Sequence, residues 1–143
     1  MISTGGAAGS FTCGSDANTN AFIDRWNSTN LVGLDFDIEA GQSPSVIADL
    51  MARIKSAHAK YPKLRFSLTL ATLATSTAGQ SAAKSLGADA QDSLNTIGAT
   101  TLNAVKSALG WNGTPATWPS YVTVNLMTMD YGTAGPGICV VSN

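Results

Sequence analysis

Gly33-Leu34-Asp35-Phe36-Asp37-Ile38-Glu39 sets three carboxylates in alternation with three large apolar residues. Period-two alternation is the mark of a β-strand, so Leu34, Phe36 and Ile38 share one face while Asp35, Asp37 and Glu39 line the other. Same-face neighbours on a strand stand about 7 Å apart. Three anions in a row at that spacing, on so apolar a strand, repel one another unless protons are shared. A structural strand gains nothing from that strain. An acid catalyst does, because neighbouring carboxylates and burial raise a pKa until the acid keeps its proton near neutral pH.

The chain on either side alternates strands with helices. Residues 1–4 read as the tail of a strand, and Gly5 to Gly14 as a loop of small residues. Asp16 or Asn18 is placed to cap a helix running to about Ser28, with Phe22, Ile23 and Trp26 as its buried side. The acidic strand covers 31–39. After a turn, Ser43 before Pro44 gives an N-cap followed by proline at the first helical position. Ile47, Leu50, Met51, Ile54 and Ala57, spaced by three and four, predict a helix to about Tyr61, which Pro62 stops. Residues 64–71 form the next strand, in which Phe66, Leu68 and Leu70 alternate with Arg65, Ser67 and Thr69. A long connection over 72–90, rich in Ala, Ser, Thr and Gly, leads to a helix over about 93–109. Leu94, Ile97, Leu102, Val105 and Leu109 face inward there, and Gly110 ends it. Trp111 to Pro119 is a loop whose two tryptophans pack locally, His58 is a surface residue late in its helix, and 121–130 is the last strand. This order means parallel β/α units within one domain spanning 1–143. Periodicity leaves two architectures open, a doubly wound sheet and a barrel.

Composition excludes several classes of function. The 143 residues are 44% hydrophobic and 12% charged, as in a globular domain. A net charge of −1 without a basic block offers no attraction to nucleic acid or an anionic membrane surface. No apolar run is long enough to span a bilayer. Cys13 and Cys139 each follow a predicted strand; pairing with each other, two unpaired thiols and pairing elsewhere all stay open. Asn27-Ser28-Thr29 and Asn112-Gly113-Thr114 match the glycosylation sequon. Carboxylates suit Ca²⁺ or Mg²⁺, but calcium loops place Gly, Asn and Ser between their ligands rather than Leu, Phe and Ile, so no metal ligand is assigned.

The acidic run resembles the catalytic strand of family 18 glycoside hydrolases, the chitinases, whose pattern is Asp-x-x-Asp-x-Asp-x-Glu. Asp35, Asp37 and Glu39 match it, and Val32 stands at its first position. Ser3-Thr4-Gly5-Gly6 resembles the Ser-x-Gly-Gly motif that ends the family's third barrel strand. Phe66-Ser67-Leu68-Thr69-Leu70 has the character of the fifth. Asn125-Leu126-Met127-Thr128-Met129-Asp130-Tyr131-Gly132 resembles the sixth, with Met129 where the family has a Tyr that bonds the substrate's N-acetyl group. The ordered matches span nearly the whole chain.

The resemblance implies a (β/α)₈ barrel of the TIM type. A complete barrel takes about 250 residues, so residues 1–143 are expected to be part of one catalytic domain, covering about strands three to six, and inactive in isolation. It further implies a secreted enzyme that hydrolyses β-1,4-linked N-acetylglucosamine with retention, needs no cofactor and is a monomer when complete. Glu39 would act as general acid and base. Asp37 would orient the substrate's 2-acetamido group, which itself attacks the anomeric carbon, Asp35 would share a proton with Asp37, and Ser3 would hydrogen-bond near this pair. Ser3, Gly5 and Gly6, with Met127, Met129, Asp130 and Tyr131, would form the sugar pocket. The alternative is a non-catalytic carbohydrate-binding or inhibitor protein on the same barrel. Such proteins typically lose the acid at the position of Glu39, which this chain keeps.

Overall fold

A computed structural model describes residues 1–9, 11–39, 42–72, 94 and 96–127. The order is β1 (Ile2–Gly5), α1 (Asp16–Trp26), β2 (Gly33–Ile38), α2 (Pro44–Lys60), β3 (Arg65–Ala71), α3 (Thr96–Leu109), a 3₁₀ turn at Pro115–Thr117 and β4 (Val122–Met127). The four strands form one parallel sheet in the order β1-β2-β3-β4.

That order carries architectural information. Right-handed crossovers between successive neighbours deposit every helix on one face of the sheet. A doubly wound sheet needs its strand order to reverse at a switch point, and this order does not reverse. The packing agrees. Leu34, Phe36 and Ile38 of β2 and Phe66, Leu68 and Leu70 of β3 join Ile23 of α1, Leu50, Met51 and Ile54 of α2, and Val105 of α3 in one buried core. The chain is thus an α/β protein whose parallel sheet carries helices on its apolar face and polar side chains on the other, consistent with part of a barrel wall.

Local chemistry sets the element ends. Ser43 caps α2, its Oγ accepting from the Val46 N–H at 3.3 Å, and Pro44 follows. All five apolar positions anticipated for α2 are buried. Gly110, at φ +79°, follows α3 in the left-handed region where L side chains are disfavoured. Several expectations are corrected. Ser15, not Asp16 or Asn18, caps α1: its extended backbone lets Oγ accept from the Asn18 N–H at 3.2 Å. The helix ends at Trp26, two residues before Ser28, and Trp26 is 48% exposed rather than buried, lying beside the Arg25 guanidinium. α3 starts at Thr96, because Leu94 makes an antiparallel bridge to Thr72 instead of a first helical turn. β1 runs on to Gly5. His58 is not a plain surface residue: its ring stacks on Tyr121 at 3.7 Å between centroids, and its Nδ1 is buried without a hydrogen-bond partner. Trp111 and Trp118 do pack locally, edge to face at 5.0 Å. Among the described residues no helix is long and apolar enough to cross a membrane, and Cys13 is an unpaired, half-buried thiol. Cys139 and residues 128–130 of the anticipated last strand lie outside the described residues.

Candidate active site

The polar face of the sheet is a grid set by register. Ser3, Asp35, Ser67 and Thr123 stand side by side across the four strands. One layer toward the C-terminal ends come Gly5, Asp37, Thr69 and Asn125. Glu39 follows β2 directly, above both layers. The three acids are half-buried while Leu34, Phe36 and Ile38 between them are buried, as strand alternation requires.

Asp35 is the hub of the lower layer. Its Oδ2 accepts from Ser3 Oγ on β1 at 2.8 Å. Its Oδ1 accepts from Ser67 Oγ and, at 2.9 Å, from Thr69 Oγ1, both on β3. Asn125 Nδ2 on β4 reaches the same oxygen at 3.5 Å and Thr69 Oγ1 at 3.3 Å. Every strand therefore contributes to this one carboxylate. Sequence reasoning placed Ser3 there but missed Ser67, Thr69 and Asn125. The available signal was the hydroxyl alternation of β3, which becomes meaningful only once parallel register sets Ser67 opposite Asp35. The proton-sharing partner anticipated for Asp37 thus has both of its oxygens engaged by hydroxyl and amide donors.

Asp37 differs. Its Oδ1 is buried and has no hydrogen-bond partner. Burial first, then the charges of Glu39 and Asp35, push its carboxyl above the ordinary carboxylate value. Neither Asp35 nor Asp37 forms an ion pair among the described residues.

The end of β1 sets how the chain passes these acids. Gly5 adopts φ +107°, and a Cβ on it would lie 2.2 Å from the Asp37 carbonyl oxygen, so only glycine fits. Gly6 follows at φ +81° and donates its N–H to that same carbonyl at 2.9 Å. A Cβ on Gly6 would stand 3.7 Å from Asp37 Oδ2 and 3.8 Å from Glu39 Oε1. Gly6 therefore borders both carboxylates and sets no side chain against them. Ser3, Gly5, Gly6, Asp35, Asp37 and Glu39 are brought together. Met127, at the end of β4, is half-buried and tied to the residue after β3 through its carbonyl, which accepts from Thr72 Oγ1 at 2.6 Å. Met129, Asp130 and Tyr131 lie outside the described residues. Among those described, no group of three or more His, Cys, Asp or Glu side chains is arranged to hold a metal ion.

No protein-family model and no curated protein matches the chain. Among solved structures it is similar to catalytic-site mutants of active domain 2 of chitinase from Pyrococcus furiosus, with a TM-score of 0.41 and 17% identity, over 88% of this chain and 49% of that one. It is also similar to the catalytic domain of the hyperthermophilic chitinase from the same organism, with a TM-score of 0.39 and 16% identity, over 85% of this chain and 48% of that one. The chain spans about half the length of these structures.

Proposed function

We propose that the chain supplies strands three to six of a (β/α)₈ barrel and bears the acid–base machinery of a retaining glycosidase that cleaves β-1,4-linked N-acetylglucosamine, as in chitin. One observation carries this reading: Asp35, Asp37 and Glu39 climb one polar sheet face toward the C-terminal strand ends, beside a Gly-Gly turn that sets no side chain against the upper two. Barrel enzymes assemble their sites at that end.

Glu39, outermost, protonates the leaving glycosidic oxygen and later takes a proton from the attacking water. The nucleophile is the substrate's own 2-acetamido oxygen, which closes on the anomeric carbon to give an oxazolinium ion. Asp37 holds that acetamide in line. Its raised pKa suits a group that passes between protonated and ionised forms during the cycle. Asp35 supplies negative charge beneath Asp37, with Ser3 holding one of its oxygens. Met127, Met129, Asp130 and Tyr131 complete the sugar pocket. The reaction needs no cofactor, and the complete enzyme is a secreted monomer acting on chitin or N-acetylglucosamine oligosaccharides.

The test is stereochemical. In the natural polypeptide that carries this segment, proton NMR of the first-formed product from an N-acetylglucosamine oligosaccharide should show the β-anomer, and the de-N-acetylated oligosaccharide should not be cleaved. First formation of the α-anomer, or equal cleavage without the acetamide, would refute substrate assistance. Tight binding with no cleavage would favour the carbohydrate-binding alternative, toward which Met129 in place of the family's Tyr leans.

A further inference from the structure

The inner surface of a (β/α)₈ barrel is usually packed with bulky branched residues such as Val, Ile and Leu. Here β3 and β4 present Ser67, Thr69, Thr123 and Asn125 to that side. Three of the four aim donors at the Asp35 carboxylate from outside its own strand. We propose that Ser67, Thr69 and Asn125 are positioning residues, which pin Asp35 in the orientation that keeps its carboxylate beneath Asp37. This inference rests on the glycosidase reading of the acid ladder and adds to it residues that act through Asp35.

The donors have a built order. Asn125 Nδ2 donates to Thr69 Oγ1 at 3.3 Å, so the Thr69 hydroxyl accepts from one side and sends its single proton to Asp35 Oδ1 at 2.9 Å. Ser67 is 2% exposed and stands directly opposite Asp35, so its hydroxyl is all but cut off from water and bonds the carboxylate instead. Thr69 and Asn125 sit one layer higher, level with Asp37. They therefore hold Asp35 Oδ1 from the side on which Asp37 lies, while Ser3 holds Oδ2. An aspartate χ2 torsion is broad and weakly restrained on its own, so these bonds decide where the carboxylate points.

The consequence falls on Asp37. Among the described residues, the titratable groups bearing on it are Glu39, just after its strand, and Asp35 within it. On this face β1 offers Ser3 and Gly5, and β4 offers Thr123 and Asn125. The one cation of β3 on the face, Arg65, is exposed and opposite Gly33, about 13 Å down the strand from Thr69. A released Asp35 turns its charge away from Asp37, which leaves Glu39 as the one like charge raising it among the described residues.

Carbon-detected NMR titration of the Asp37 carboxyl in the 143-residue chain tests this without any turnover. Thr69→Val, which keeps shape and removes the hydroxyl, should lower the Asp37 midpoint toward the ordinary carboxyl range. Asn125→Ala should do so in the same direction, and Thr69→Ser should restore the wild-type midpoint. An Asp37 midpoint unmoved by both Thr69→Val and Asn125→Ala would overturn the proposal. Should Thr69→Val fail to fold, Asn125→Ala decides, since Asn125 is exposed. A failed glycosidase assay leaves this readout intact: a lowered midpoint in a protein that cleaves nothing keeps the positioning role and discards the reaction.

Discussion

Asp37 concentrates the electrostatic strain of the site in one side chain. Burial and two like charges make its ionised form costlier in the folded chain than in the unfolded one. Its folded-state pKa is raised, so its contribution to stability is complete below the ordinary value of 3.8 and is lost as pH rises through the folded value. Asp37→Asn removes the titration. The stability of the variant relative to wild type should therefore increase from about pH 3 to about pH 7. Urea unfolding at the two pH values checks this, and a pH-independent difference would contradict it. At this scale much was legible before any coordinates, because alternation alone places Asp35, Asp37 and Glu39 on one face. What alternation could not show is which acid is satisfied and which is not. That depends on donors 32 and 34 residues from Asp35, at Ser67 and Thr69, and on Asn125, 90 residues away. Only the sheet brings them into reach.

Elements here obey their local signals to different degrees. α2 follows its sequence closely: Ser43 caps it, Pro44 opens it and five apolar positions bury one stripe. Ser43→Ala should cost about 1 kcal/mol, whereas Ile54→Ala, at a site 1% exposed in the common core, should cost about 2–5 kcal/mol. Chemical denaturation of the two variants should reproduce that order; a larger loss at Ser43 would contradict it. α1 was less legible. Ser15, Asp16 and Asn18 are all competent caps by residue type, and the extended backbone at Ser15 selects among them. Trp26 misled because helical spacing put it on the inner stripe, yet the helix ends on it and its ring lies out beside Arg25. His58 misled in the opposite direction. Its partner Tyr121 precedes β4, a neighbour that no pattern within α2 could reveal.

For the whole molecule, sequential strand order with every helix on one side turns the acids to the opposite side of the sheet, where only a curved, closing wall would enclose them. Among the described residues β1 and β4 each pair along one edge. On the proposed barrel reading further strands close the pocket, and the 143-residue polypeptide alone is then expected to hydrolyse oligosaccharide negligibly. On the proposed reading Glu39 is the proton donor of the reaction. That role is checked by comparing turnover of an N-acetylglucosamine oligosaccharide by wild type and Glu39→Gln in the natural polypeptide carrying this segment, with binding measured alongside. Glu39→Gln should lose about 10²–10⁴-fold in kcat with binding retained, the usual range for a general acid–base group. Undiminished turnover in Glu39→Gln would contradict it.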